Sequence, residues 1–155
     1  MSLGLEQSVA EYLVSKGIGL GLYDDVAEGN RSVFVGEYTP GEDSNGLGIT
    51  VFPDGGPPPM LTIRETTTIT IQCRHRSYET AMSTQREIHE LLQENGGQSN
   101  GANPEATGDF PNGIKVGRIT ADFQPIALGR DSDGGDGRAV TSQSFTVRSK
   151  PITFT

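Results

Sequence analysis

The sequence predicts an α+β domain, a mostly antiparallel sheet with two helices packed on one face and long Gly/Pro-rich loops between the elements. Two observations carry this. From Thr66 to His75 the residues alternate with period two, so Ile69, Ile71, Cys73 and His75 share one strand face and Thr68, Thr70, Gln72 and Arg74 the other. After Ser77, a residue suited to capping a helix N-terminus, the period lengthens to about 3.6. Tyr78, Ala81, Met82, Gln85, Ile88 and Leu92 then form one stripe, while Glu79, Ser83, Arg86, Glu87 and Glu90 face away. That stripe has to bury itself, and the nearest apolar surface is the sheet containing the preceding strand.

The remaining elements follow from the same patterns. Leu5, Val9, Tyr12, Leu13 and Lys16 stand at helical spacing behind Ser2, a candidate N-cap, and Gly17 followed by Ile18 reads as a helix stop. Ser32 to Tyr38 and Gly46 to Phe52 read as two strands, separated by the turn-rich TPGEDSN segment. Pro57, Pro58 and Pro59 cannot donate to a sheet ladder, so the segment containing them reads as a loop. Residues 95–113 have almost nothing to bury and read as a long connection. Ile114 to Phe123 resumes strand character, with Ile114, Val116 and, after Gly117, Ile119 and Ala121 facing inward. Gln124 and Pro125 break or bend it. Ile126 to Leu128 is short, the DSDGGDG segment turns the chain, and Ala139 to Arg148 returns, completing a hairpin with an extended tip. The expected division is one domain over residues 1–155, with flexible segments at 39–46, 53–59, 95–113 and 130–138 and a C-terminal arm at 149–155.

Composition narrows the function classes. Leu, Ile, Val and Phe number 35 of the 155 residues, which implies a thin core, and thin cores gain stability from neighbouring subunits. The net charge is −8, with 20 acidic residues against 12 basic. Nucleic-acid affinity begins with phosphate neutralisation, so this balance argues against direct DNA or RNA binding and suits a wall past which a polyanion slides. The early apolar segment is interrupted by Glu6 and Glu11 and has no basic lead-in, so no signal peptide is expected, and no apolar run approaches membrane-spanning length. A single cysteine, Cys73, excludes an internal disulfide and a cysteine-based zinc cluster, in keeping with synthesis in a reducing cytoplasm.

Two stretches carry a resemblance. One is TIQCRHRSYETAMSTQREIHELL, a strand ending in arginine that runs through Tyr78 into a helix with Ala81, Ile88 and Leu92. The other is FQPIALGRDSDGGDGRAVTSQSFTVR, in which Gln124-Pro125, Leu128-Gly129, an Asp/Gly turn and Gly137-Arg138 lead into a polar strand containing Phe145. With the order of elements over residues 1–148, the chain resembles the tail terminator (tail-completion, or minor tail) proteins of long-tailed bacteriophages and archaeal tailed viruses. The resemblance implies a structural virion protein without catalysis or cofactor. Six copies would form a homo-hexameric ring capping the head-proximal end of the tail tube, ending tube growth and joining the tail to the head connector. Its partners would be itself, the tail tube protein and the connector or completion protein, with no membrane contact. DNA would pass through the lumen without sequence-specific binding, and assembly would take place in the host cytoplasm. This chain departs from a minimal family pattern in its DSDGGDG tip, its proline-rich loop and its long connection at 95–113.

Candidate sites follow from residue type and spacing. Arg74 and Arg76, with Arg64 nearby, form a basic cluster suited to pairing with a neighbour's carboxylates. With Pro57 and Pro58 of the projecting loop, and Asp131, Asp133 and Arg138 of the hairpin tip, they are the residues expected at an oligomer or partner interface. Asp131, Asp133 and Asp136 invite a calcium reading, but a loop starting at Asp131 has Ser142 where a bidentate acid belongs, so no metal site is expected. Cys73 and His75 share a strand face and invite a small Cys/His-dependent hydrolase as the alternative of a different class. No oriented base or oxyanion hole accompanies them, and Cys73 continues an apolar face, so a buried structural thiol is expected. A head-completion or connector protein is the alternative within the same machinery.

Overall fold

Ile69, Ile71 and Cys73 lie at the centre of a sheet whose neighbours on both sides are antiparallel, in a computed structural model that describes residues 5–16, 21–22, 32–36, 47–53, 65–92, 108–110, 115–131 and 138–150. The elements are α1 (Leu5–Ser15), β1 (Gly21–Leu22), β2 (Ser32–Val35), β3 (Gly48–Pro53), β4 (Glu65–His75), α2 (Tyr78–Leu92), β5 (Gly108–Asp109), β6 (Lys115–Ala121), β7 (Ile126–Asp131) and β8 (Arg138–Lys150). They form one α+β domain. The eight strands make one sheet in the order β1-β2-β3-β4-β8-β6-β5, and β7 lies beside β8 off that path. The pairs β1–β2 and β2–β3 are parallel, and all the others are antiparallel.

Cross-strand register explains why both helices lie on one face. Cys73 stands opposite Ile49 on β3 and Thr141 on β8, Ile71 opposite Val51 and Gln143, and Ile69 opposite Phe145. Directly opposed residues share a face, so these side chains form a continuous floor. Val9, Ala10 and Leu13 of α1 join Ile49 and Val51 in one core cluster with Ala81, Ile88 and Leu92 of α2. Helix α1 covers β1 to β3, and α2 covers β4, β8 and β6.

Helix α2 begins as its sequence requires. The Ser77 Oγ accepts the Thr80 N–H at 3.4 Å, which satisfies one of the donors left open at a helix start, and Ser77 N–H donates to His75 Nδ1 at 2.9 Å. Ala81, Met82, Gln85, Ile88 and Leu92 are buried as the stripe demands, but Tyr78 is 44% exposed. It is the first residue of the helix, and contact with the sheet begins one turn later, at Ala81 and Met82.

The hairpin of the C-terminal half is longer than its sequence pattern, and its outgoing arm is split. β6 pairs with the second half of β8, from Ala121 opposite Phe145 to Lys115 opposite Lys150, whereas β7 pairs with the first half, from Ile126 opposite Ser142 to Asp131 opposite Arg138. The corner between them is held from β8. Asp122 N–H donates to Ser144 O at 2.9 Å, Thr146 Oγ1 to Asp122 Oδ1 at 2.6 Å, and Gln143 Nε2 to Phe123 O at 2.7 Å. The expected bend at Gln124-Pro125 lies here. The register of β6 shifts between Val116 and Arg118. Val116 and Ile119, three residues apart, would point to opposite faces of a regular strand, and the bulge at Gly117 lets both be buried.

Of residues 95–113 only 108–110 lie among the described residues. β5 lies in this segment, and Phe110, directly after it, is buried with its ring stacked on Tyr12 at 4.3 Å between centroids and 9° between planes. This stacking ties Phe110 to α1, a buried contact that the reading of the segment as having almost nothing to bury did not foresee. Pro53, expected to open the flexible proline-rich segment, is instead the last residue of β3, while Ser2, Gly17, Ile18, residues 54–59 and residues 151–155 lie outside the described residues.

Candidate assembly surface

β7 ends the sheet beside the first half of β8. Among the described residues it pairs with β8 alone, so its outer N–H and C=O groups form an edge. Edge strands of monomers are usually guarded by charge, proline or a twist. Here Pro125 precedes the strand and a bulge between Ala127 and Gly129 interrupts it, yet the run Ile126-Ala127-Leu128-Gly129 has no charge. Leu128 is the extra residue of the bulge and is 54% exposed, with Ile126 and Phe123 also open to solvent. The bulge depends on Gly129, whose φ of +96° lies in the left-handed region. A Cβ there would meet nothing within 4 Å, so the whole penalty of Gly129→Ala is conformational. That substitution is expected to lower unfolding free energy by about 1–2 kcal/mol in a urea titration.

The expected interface residues are distributed unequally. Arg74 is half-buried against the sheet face away from the helices, where Nη1 reaches Thr50 Oγ1 at 3.5 Å and Nη2 donates to Gln72 Oε1 at 3.1 Å. Arg76 is exposed in the turn between β4 and α2, and its carbonyl accepts a 3.1 Å bond from Nη1 of Arg130, an exposed residue of β7. This contact brings two arginines from distant stretches together at one end of the sheet. Arg138 differs from expectation, being only 4% exposed. It opens β8, where the end of β7 pairs with it, and its side chain is buried instead of projecting from a tip. Asp131 is the last residue of β7, at the register position opposite Arg138. Arg64, Pro57, Pro58, Asp133 and Asp136 lie outside the described residues.

The outward side of α2 has the opposite character. Tyr78, Met82 and Ser83 line a cleft of about 360 Å³ along the helix, together with Glu79, Arg86, Glu87 and Glu90. Spacings of three and four residues put these side chains on neighbouring turns of one face. The glutamates outnumber the single arginine, so the cleft is acidic, with an apolar strip at Tyr78 and Met82. The sequence showed these glutamates facing away from the core. It did not show the cleft, whose Tyr78 had been assigned to the buried stripe.

Cys73 and His75 have different surroundings. Cys73 is wholly buried beneath the helices, and His75 Nδ1 is occupied by the Ser77 N–H at 2.9 Å. Between α2 and the sheet lies instead a buried polar cluster. Gln85 Nε2 donates to Ile71 O at 3.2 Å, Thr141 Oγ1 to Gln85 Oε1 at 3.0 Å, and Gln143 Nε2 lies 2.7 Å from His89 Nδ1. Because the same Nε2 donates to Phe123 O, His89 Nδ1 accepts here. His89 therefore packs inward through this bond. Among the described residues no three His, Cys, Asp or Glu side chains are grouped to hold a metal ion, and no helix is long and apolar enough to cross a membrane. A scan against protein-family models finds no match to this chain, and a search of curated proteins finds none either.

Proposed function

We propose that this protein is a ring-forming structural subunit of a viral neck, six copies of which cap the head-proximal end of a tail tube, stop its growth and present a surface to the head connector. The observation that carries the reading is β7, an edge strand with exposed Ile126 and Leu128 and no charge over its first four residues. A chain that works alone gains nothing from such an edge, whereas a subunit uses it against a neighbour. The resemblance in residues 70–92 and 123–148 supports the reading, as does the thin core. The net charge of −8, multiplied around a ring, suits a passage that repels DNA from its wall. Termination then follows from geometry, because the face opposite the tube no longer offers what the next tube ring needs.

Native mass spectrometry over a wide range of concentration and salt tests this reading. A discrete hexamer is the expected species, and a chain that stays monomeric at every concentration and also fails to bind tail tubes overturns it. The small-hydrolase alternative is tested at Cys73. The folded protein is expected to take up a thiol-alkylating reagent at least about a hundredfold more slowly than the denatured chain, because labelling must await local opening. Rapid labelling of the folded protein at neutral pH would return weight to a thiol nucleophile.

A further inference from the structure

We infer that the β7 edge of one copy docks into the acidic cleft on α2 of the next copy, in a head-to-tail contact. The two surfaces match in both chemistries. The edge offers exposed Phe123, Ile126 and Leu128, with Arg130 at its far end and Arg76 beside it through the Arg130 Nη1 to Arg76 O bond. The cleft offers exposed Tyr78 above a largely buried Met82, with Glu79, Glu87 and Glu90 around it and Arg86 among them. Aliphatic and aromatic groups thus face an aromatic ring, and two arginines face a rim of three carboxylates and one arginine. Aromatic residues, methionine and arginine are the types enriched at the centres of protein interfaces. The glutamates also supply acceptors for the outward N–H groups of β7, which a purely apolar partner would leave unsatisfied.

The occupant is a second copy of this chain because the complement to each surface stands on the same molecule, in a different place. An arginine-bearing apolar edge and a glutamate-rimmed apolar cleft cannot pair with themselves across a twofold axis without setting like charges together. Edge can meet cleft either reciprocally across a twofold axis or head to tail, and only the head-to-tail form closes into a ring or continues as a filament. Closure at six rests on the proposed ring. The contact itself does not depend on it.

Reversed charges test the pairing. One variant carries Arg76→Glu with Arg130→Glu, which alters the edge and the turn beside it but no cleft-lining residue, and a second carries Glu87→Arg with Glu90→Arg, which alters the cleft alone. Each is checked by circular dichroism for native secondary structure and followed by sedimentation velocity and native mass spectrometry. Either variant alone is expected to associate at least about tenfold more weakly than the parent chain. An equimolar mixture of the two is expected to restore assembly with strict alternation, since every reversed edge then meets a reversed cleft and every native edge a native cleft. Assembly that is indifferent to both reversals overturns the inference and leaves the ring reading standing on another surface. Dissociation by both reversals without rescue on mixing overturns the pairing of these two surfaces. Alternating rescue in open chains of many lengths supports the contact and sinks the closed ring, while a parent chain that is monomeric at every concentration sinks the contact.

Discussion

Replacing Phe145 by alanine is expected to destabilise the domain by about 3–5 kcal/mol, the largest loss from any single truncation in the sheet. Phe145 is fully buried in the middle of β8, opposite Ile69 on β4 and Ala121 on β6. Both neighbours are smaller, so neither can move far enough to refill the space without breaking a ladder that is fixed on two sides. The loss has two parts, the transfer free energy of the ring and the cavity left by a floor that relaxes only in part. A domain of this size has a total stability of about 5–15 kcal/mol, so the variant stands near the threshold of folding. Urea or thermal unfolding followed by circular dichroism measures the effect. A loss below about 1.5 kcal/mol would mean that the floor collapses around the gap and that Phe145 is not a keystone of packing. Ile119→Val, one methylene smaller on a strand of the same floor, is the control for ordinary trimming.

The parts of this fold legible in the sequence are those in which a local period decides the outcome. The alternation of Ile69, Ile71 and Cys73 and the stripe of Ala81, Met82, Gln85, Ile88 and Leu92 required no distant information, since each follows from where successive side chains point. The Ser77 cap and the change of inward face across Gly117 were legible for the same reason. Tyr78 was misassigned, and the burial of Arg138 and Phe110 was not foreseen, because their surroundings come from elsewhere in the chain. Arg138 is buried at the start of β8, where the end of β7 pairs with it, a non-local arrangement that composition does not encode. Phe110 is buried because Tyr12, nearly a hundred residues earlier, supplies a ring to stack on.

The candidate surface was only half legible. The arginines near residue 75 stood out as basic residues in an acidic chain, but the edge they join did not. Ile126 and Leu128 looked like a short strand of no special exposure, and only the pairing of β7 with the first half of β8 makes that strand an edge. The helix face of β8 was also hidden. Thr141, Gln143, Phe145 and Val147 alternate toward α2, but two of the four are polar, and the segment read as a polar strand. Their burial became legible only once Gln85 and His89 were found across from them with matching donors and acceptors.

The Gln85–Thr141 contact is expected to be strongly coupled, in a way that single substitutions alone will misrepresent. Both residues are wholly buried, and Thr141 Oγ1 donates to Gln85 Oε1 at 3.0 Å and lies 3.4 Å from Ala81 O. Thr141→Val keeps the side chain's shape and leaves Gln85 Oε1 without its donor. Gln85→Leu keeps most of the volume, removes the bond from Nε2 to Ile71 O and leaves the hydroxyl of Thr141 with only its long contact to Ala81. Each is expected to cost about 1–3 kcal/mol, because a buried polar group that has lost its partner retains its full desolvation penalty. The double variant removes both partners, so its cost is expected to fall short of the sum of the singles by about 1 kcal/mol or more, measured by urea unfolding in a double-mutant cycle. Strict additivity would mean that the hydrogen bond contributes nothing specific and that α2 is held by its apolar stripe alone. Coupling of the expected sign means that the polar pair fixes the position of α2 along β4 and β8. Sliding the helix by one turn would strand both groups in the core, whereas Ala81, Ile88 and Leu92 alone would tolerate several positions. The placement of α2 on the sheet would then be set by two polar side chains in an otherwise permissive apolar contact.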